Sequence, residues 1–259
     1  NSARDLDLLR RAVDDPMLSF HGISYGTQLG AIYANMFPAR VRAMVLDGSI
    51  DFVGNVTGHG SQGTEIPLNT RQDIAVGSSA AFEQFLYDCA AAGPRCAFSA
   101  GDPRAKWAAL LARRTSVTVD EHVWTYPELA VAALANPAGY PQLADLLQEL
   151  FTTGTADVGL LEDVTGSSPP PLDAGAGRYL GNREEAYSAI QCSDSTVPTD
   201  PAAYSRAAVI ADVNQPDFGR ISVFDTVPCA FWPEVDADRY IGPWDRRTAA
   251  PILVLNTRN

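Results

Sequence analysis

Phe20-His21-Gly22-Ile23-Ser24-Tyr25-Gly26-Thr27-Gln28-Leu29-Gly30 decides the reading of this 259-residue chain. Gly22-x-Ser24-x-Gly26 is the spacing that sets a serine on a sharp turn between a strand and a helix. A serine held there sits in strained backbone, and the chain passes so close that a Cβ two residues to either side is expected to clash. Ser24 Oγ then projects from the top of a sheet as a nucleophile. The backbone N–H of Tyr25 faces the same spot, as a donor to an oxyanion. The plainer alternative makes Ser24 a helix cap in the glycine-rich turn of some other βαβ unit.

The flanks favour the nucleophile. Met17 to His21 is short and mostly apolar, which predicts a buried strand. Leu29, Ile32, Tyr33 and Met36 recur at three- and four-residue spacing, the mark of a helix, and Pro38 stops it. Val41 to Leu46 is a second strand, closed by Asp47-Gly48. Strand, serine, helix, strand is a right-handed parallel unit, the centre of an α/β-hydrolase sheet. The expected fold class is α/β: a parallel sheet with flanking helices, and a mostly helical lid inserted after the strand that follows the nucleophile helix.

Charge and length narrow the partners. A formal net charge of −12 argues against nucleic acid or an anionic membrane surface. Apolar runs such as Pro251 to Leu255 fall far short of the roughly 18 residues that span a bilayer, so no membrane span is expected. Asn1 to Asp5 has no apolar segment of the signal-peptide kind. Nothing in the pattern speaks to oligomeric state. Cys89, Cys96, Cys192 and Cys229 form two sequence-local pairs, with no Cys-x-x-Cys spacing and no histidine nearby, so no metal site is expected. The pairing read from this is Cys89–Cys96 and Cys192–Cys229, in an oxidising compartment. Four buried thiols in a reducing compartment is the alternative.

The rest of the chain gives the domain plan. Leu6, Leu9 and Val13 mark one face of a helix before the elbow, with Arg10 and Arg11 opposite. Residues 1–53 are read as the hydrolase core with the elbow. Residues 54–182 are read as the helical lid, in which Phe82, Phe85, Leu86 and Cys89 form one stripe, and Trp107, Leu110 and Leu111 another. Leu143, Leu146, Leu147, Leu150 and Phe151 form a third. A small hairpin is expected over Val117 to Tyr126, and Thr165 to Gly181 is read as a flexible connector. Residues 183–259 return to the core, with Phe224, Phe231 and Trp232 as core contacts, and end at the strand Ile252 to Leu255.

Several blocks resemble one family. Asp5-Leu-Asp-Leu-Leu, His21-Gly-Ile-Ser-Tyr-Gly-Thr, Tyr33-Ala-Asn-Met-Phe-Pro and Val45-Leu-Asp-Gly look like the secreted tripeptidyl-aminopeptidase-like α/β-hydrolases of actinobacteria. Ala189-Ile-Gln-Cys-Ser-Asp194, Pro228-Cys-Ala-Phe-Trp-Pro233 and Pro251-Ile-Leu-Val-Leu-Asn256 are similar to the same family's later blocks. The resemblance implies an exported serine peptidase, extracytoplasmic or in the cell envelope, that releases short peptides from free N-termini without a cofactor. Its partner is a peptide substrate. An exopeptidase must also hold a free α-ammonium, and Glu184, Glu185 and Asp194 are the candidate carboxylates; solvated helix charges are the alternative reading.

Such enzymes carry an upstream His-Gly-Gly-Pro-Gly-like oxyanion loop, and nothing here matches it. The required order is Ser, acid, base. The acid is expected just after Asn259 and the base later still, which makes this chain an incomplete and inactive hydrolase segment by expectation. His21, His59 and His122 are the histidines present, and none fits that order as the family uses it. A capped esterase of the same fold, or a hydrolase-fold binding domain without activity, are the competing readings.

Overall fold

Around Ser24 the chain runs helix, strand, helix, strand: α1 (Ser2–Ala12), β1 (Leu18–Ile23), α2 (Tyr25–Met36) and β2 (Val41–Asp47). The structure is a computed structural model and describes residues 2–113, 116–119, 122–134, 139–156, 159–160, 183–233 and 236–256. Three short helices follow β2: α3 (Phe52–Val56), α4 (Gln62–Glu65) and α5 (Leu68–Arg71). Next come α6 (Ile74–Ala92), α7 (Pro103–Arg113), the strands β3 (Ser116–Val119) and β4 (His122–Thr125), α8 (Tyr126–Leu134) and α9 (Tyr140–Thr153). The chain closes with α10 (Arg183–Asp194), α11 (Pro201–Asn214), α12 (Gly219–Phe224) and β5 (Ile252–Leu255). The connector read over Thr165 to Gly181 lies outside the described residues.

Packing divides the chain into two units. One comprises Asn1–Gln72, Ala189–Asp200 and Pro228–Asn259; the other comprises Asp73–Ser188 and Pro201–Val227. The first holds a parallel sheet in the order β1-β2-β5, so β2, fed by α2, is central. Ile23 pairs with Asp47 and Asp47 with Leu255, which brings the C-terminal ends of all three strands to one edge. A parallel sheet flanked by helices is an α/β fold.

Close approach of α2 to that sheet depends on Gly30. A Cβ there would meet Leu46 Cδ2 at 2.7 Å and Phe20 Cε1 at 2.8 Å. Ala31, Tyr33, Ala34, Val41, Met44 and Leu46 are buried beside it. α1 packs differently from its hydrophobic periodicity. Its buried face is Ala3, Asp7 and Arg10, while Leu9 and Val13 are 63% and 74% exposed. Arg10 Nε donates to Asp7 Oδ1 at 2.9 Å and the Tyr33 hydroxyl donates to the same oxygen at 3.2 Å. A buried ion pair with its hydrogen bonds filled is tolerated where an unpaired charge is not, so the polar face of α1 turns inward.

The second unit has its own core, built on Phe82, Trp107, Leu110 and Phe218 and on Leu143, Leu146, Leu147 and Leu150 of α9. Phe82 lies 4.5 Å from Trp107 and 5.4 Å from Phe218, ring centre to ring centre. Phe224 and Phe231, expected in a core, are 40% and 68% exposed; the buried aromatic of that stretch is Phe218. β3 and β4 form an antiparallel hairpin. A disulfide joins Cys89 to Cys96 in this unit, and another joins Cys192 to Cys229 in the unit with the sheet. Lys106 is buried, and among the described residues its Nζ meets no carboxylate: it donates to the carbonyls of Phe98 and Ala100 and to Gln148 Oε1.

Candidate active site

Ser24 links β1 to α2 with φ 52° and ψ −121°, a conformation that non-glycine residues adopt only under constraint. Four bonds supply that constraint. The Ser24 N–H donates to the Asp47 carbonyl at 3.0 Å, and the Ser24 carbonyl accepts from the Thr27 N–H at 2.9 Å and its hydroxyl at 2.6 Å. Thr27 Oγ1 also accepts from the Ile50 N–H at 3.3 Å, which ties the turn to the chain leaving β2. The serine side chain is exposed and has no hydrogen-bond partner among the described residues. Tyr25 opens α2, so its N–H is one of the helix's donors without an intrahelical acceptor.

The two flanking glycines are not equivalent. A Cβ on Gly22 would stand 2.3 Å from the Gly26 carbonyl oxygen, so only glycine fits. A Cβ on Gly26 would meet nothing within 4 Å, against the clash expected there.

Beside the elbow lies a cleft lined by Tyr25, Gln28, Leu29, Ile32 and Met36 of α2, by Ala3 and Arg4 of α1, and by Val56, Asp194, Arg239 and Tyr240. The Tyr25 phenol donates to Asp194 Oδ2. Burial, and then the Asp194 carboxylate it serves, push the phenol's pKa well above tyrosine's ordinary value. Asp194 ends α10, two residues after Cys192. The next turn is pinned to the core, since the Thr196 N–H donates to the Val56 carbonyl at 2.7 Å. Arg239 Nη2 donates to Thr196 Oγ1 at 2.8 Å, closing that side of the cleft.

Among the described side chains, Asp194 is the candidate carboxylate brought to Tyr25. Glu184 and Glu185 lie on α10 near its start, and their side chains fall outside the described residues. His21 Nε2 is 3.8 Å from Asp47 Oδ2, and His59 Nε2 is 2.6 Å from Asp51 Oδ2. Neither bonds to Ser24; the His122 side chain is outside the described residues. Among the described residues no cluster of His, Cys, Asp or Glu is placed to hold a metal. Nor is any helix among them long and apolar enough to cross a membrane.

Gln28 escaped the sequence reading. It is wholly buried, its Oε1 accepts from Asn55 Nδ2 at 2.6 Å, and its Nε2 has no partner among the described residues. The available signal was its position four residues after Ser24, which puts it on the nucleophile's side of the helix.

No family model matches the chain. It is similar to a tripeptidyl aminopeptidase of Streptomyces lividans, with 28% identity over 90% of this chain and 42% of that protein. It is also similar to serine protease Hip1 of Mycobacterium tuberculosis, with 32% identity over 90% of this chain and 45% of the relative. A third relative, carboxylesterase B of Mycobacterium tuberculosis, is 29% identical over 98% of this chain and 48% of its own length. The chain therefore spans less than half the length of these curated relatives.

Proposed function

The chain is a homologue of the tripeptidyl-aminopeptidase-like serine peptidases, which are α/β-hydrolases, and from that premise we propose that it is the nucleophile-bearing part of an exported serine aminopeptidase. Ser24 attacks a peptide carbonyl and forms an acyl-enzyme, and the Tyr25 N–H donates to the oxyanion of the tetrahedral intermediate. The triad's histidine takes the serine proton and returns it to the leaving amine, and a carboxylate orients that histidine. Neither partner has a counterpart bonded to Ser24 among the described residues. Asp194 holds the free α-ammonium of the substrate, the Tyr25 phenol fixing its carboxylate. Residues 54–182 act as the lid, and short peptides, tripeptides among them, are the products.

The strained backbone of Ser24 carries this reading. A non-glycine residue at φ 52° between a parallel strand and a helix, with its hydroxyl exposed, has a use as a nucleophile and none as a cap, since Ser24 makes no side-chain cap bond. The two disulfides support export, because such bridges persist in oxidising compartments.

The test is covalent labelling of the full-length protein with a fluorophosphonate, which reacts with activated serines. Labelling at Ser24 that is lost in Ser24→Ala, together with release of tripeptide from a tripeptide-anilide, is the expected result. A folded protein that stays unlabelled overturns the hydrolase reading. The resemblance to a carboxylesterase supports a second reading: turnover of p-nitrophenyl esters without tripeptide release would make the protein an esterase.

A further inference from the structure

We propose that Arg239 reads an acidic side chain on the substrate's N-terminal residue, so that the cleft beside the elbow favours peptides beginning with glutamate or aspartate; this rests on the peptidase reading above. Asp194 and Arg239 both line that cleft, and both are half-buried, so each keeps surface that a bound group can reach. They carry opposite charges but form no ion pair with each other. Among the described residues, Asp194 accepts from the Tyr25 phenol alone. The Arg239 guanidinium donates from Nη2 to Thr196 Oγ1 at 2.8 Å and meets no carboxylate among those residues. Its Nε is buried, whereas its Nη1 has neither a partner there nor full burial. Arg4 lines the cleft as well, but its Nη1 lies 3.5 Å from Asp238 Oδ2, so that charge is already answered.

A guanidinium drawn partly out of water without an anion has lost solvation that a carboxylate can restore, and its planar fork matches a carboxylate in two bonds. Asp194 and Arg239 together are the complement of a ligand that carries one ammonium and one carboxylate. On a peptide cut from its N-terminus the chain's own C-terminal carboxylate lies beyond the scissile bond. The carboxylate nearest the α-ammonium is then a side chain of the N-terminal residue. Glutamate and aspartate place both charges on that one residue, as a single cleft requires. Leu29, Ile32 and Met36 of α2 give the same cleft an apolar wall for the methylenes between them. A basic N-terminal residue would set like charge against Arg239 and Arg4 and is disfavoured.

Calorimetric binding to full-length Ser24→Ala protein tests this without turnover. The ligands are the C-terminal amides of Glu-Ala-Ala, Gln-Ala-Ala and Lys-Ala-Ala, which differ only in the first side chain. The glutamate peptide should bind at least about tenfold more tightly than its glutamine isostere, the scale of a charge-assisted bond. In Ser24→Ala/Arg239→Gln the two should bind alike. In Ser24→Ala/Arg239→Glu the lysine peptide should become the preferred ligand. Arg4→Gln in the same background should leave the order of the three unchanged.

Equal affinity for the glutamate and glutamine peptides in the Arg239 protein overturns the proposal, as does a preference that survives Arg239→Gln. Should Arg239→Gln fail to fold for want of its bond to Thr196, Arg239→Lys decides. It keeps a charge and loses the fork, so the preference should fall several-fold, and an unchanged preference overturns the proposal. The peptidase reading fails separately: the wild type would release nothing from any tripeptide-anilide, whatever the binding series gives. Release from the Ala-Ala-Ala anilide with flat glutamate and glutamine affinities would keep the peptidase and remove Arg239 from its specificity.

Discussion

The phenol of Tyr25 donates to the carboxylate of Asp194, 169 residues further along the chain. The bond joins the residue after the nucleophile to the end of α10, so whatever moves that helix end also moves the wall of the cleft. Asp194 is held from the other side by the Cys192–Cys229 bridge and by the Thr196–Val56 backbone bond.

Asp194→Asn in the full-length protein should raise KM for a tripeptide-anilide with a free N-terminus by about tenfold or more, the scale of a charge-assisted hydrogen bond. The N-acetylated substrate should show no comparable rise. Equal effects on both substrates would remove Asp194 from ammonium binding.

The Tyr25 phenol should remain protonated beyond tyrosine's ordinary range. Burial is the larger cause and the Asp194 carboxylate the next, so Asp194→Asn should bring its titration only part of the way back. Ring-carbon chemical shifts of labelled tyrosine, followed from pH 8 to 12, measure this. A normal titration for Tyr25 in the wild type would contradict the bond.

Gly22→Ala and Gly26→Ala should part company. The first drives a Cβ to 2.3 Å from the Gly26 carbonyl and should cost several kcal/mol, about 3 or more, or prevent folding. The second meets open space in a helix and should be neutral or stabilise by up to about 1 kcal/mol. Urea unfolding of both variants decides the matter.

Lys106 sets a pH dependence of known sign. Burial lowers its pKa in the folded chain below the ordinary 10.5. Between those two values the unfolded chain binds the extra proton, so this group's contribution to stability rises as pH climbs through that window. The tyrosines oppose it, because burial raises the pKa values of Tyr33 and Tyr240. The clean measurement is therefore the stability difference between wild type and Lys106→Met by urea unfolding from pH 8 to 11. It should move in favour of wild type as pH rises; a flat difference would count against a depressed pKa.

The elbow was legible because its geometry is local. Two glycines, a serine and a strand-to-helix change of period all fall within a dozen residues. Leucines at 143, 146, 147 and 150 were equally readable, since their three- and four-residue spacing puts four apolar side chains on one buried face of α9. α1 misled because Asp7, Arg10 and Tyr33 satisfy one another and win the inward face, which no hydrophobic count detects. Phe218 packs against Phe82 and Trp107 across more than a hundred residues, a pairing that periodicity cannot supply. The bonds from Gln72 to Asn55 and from Asn55 to Gln28 were invisible for the same reason: α2, α3 and the turn after α5 must fold together before they exist.

Lys106 is the only lysine in the sequence, and it is 7% exposed. Side-chain amine chemistry on this stretch has one target, and the folded helical unit shields it. An acylating reagent, or a protease that cuts after lysine, reaches that target through transient opening. The rate of that single modification thus becomes a clock for local unfolding of the unit built on Trp107 and α9, read without any probe being attached.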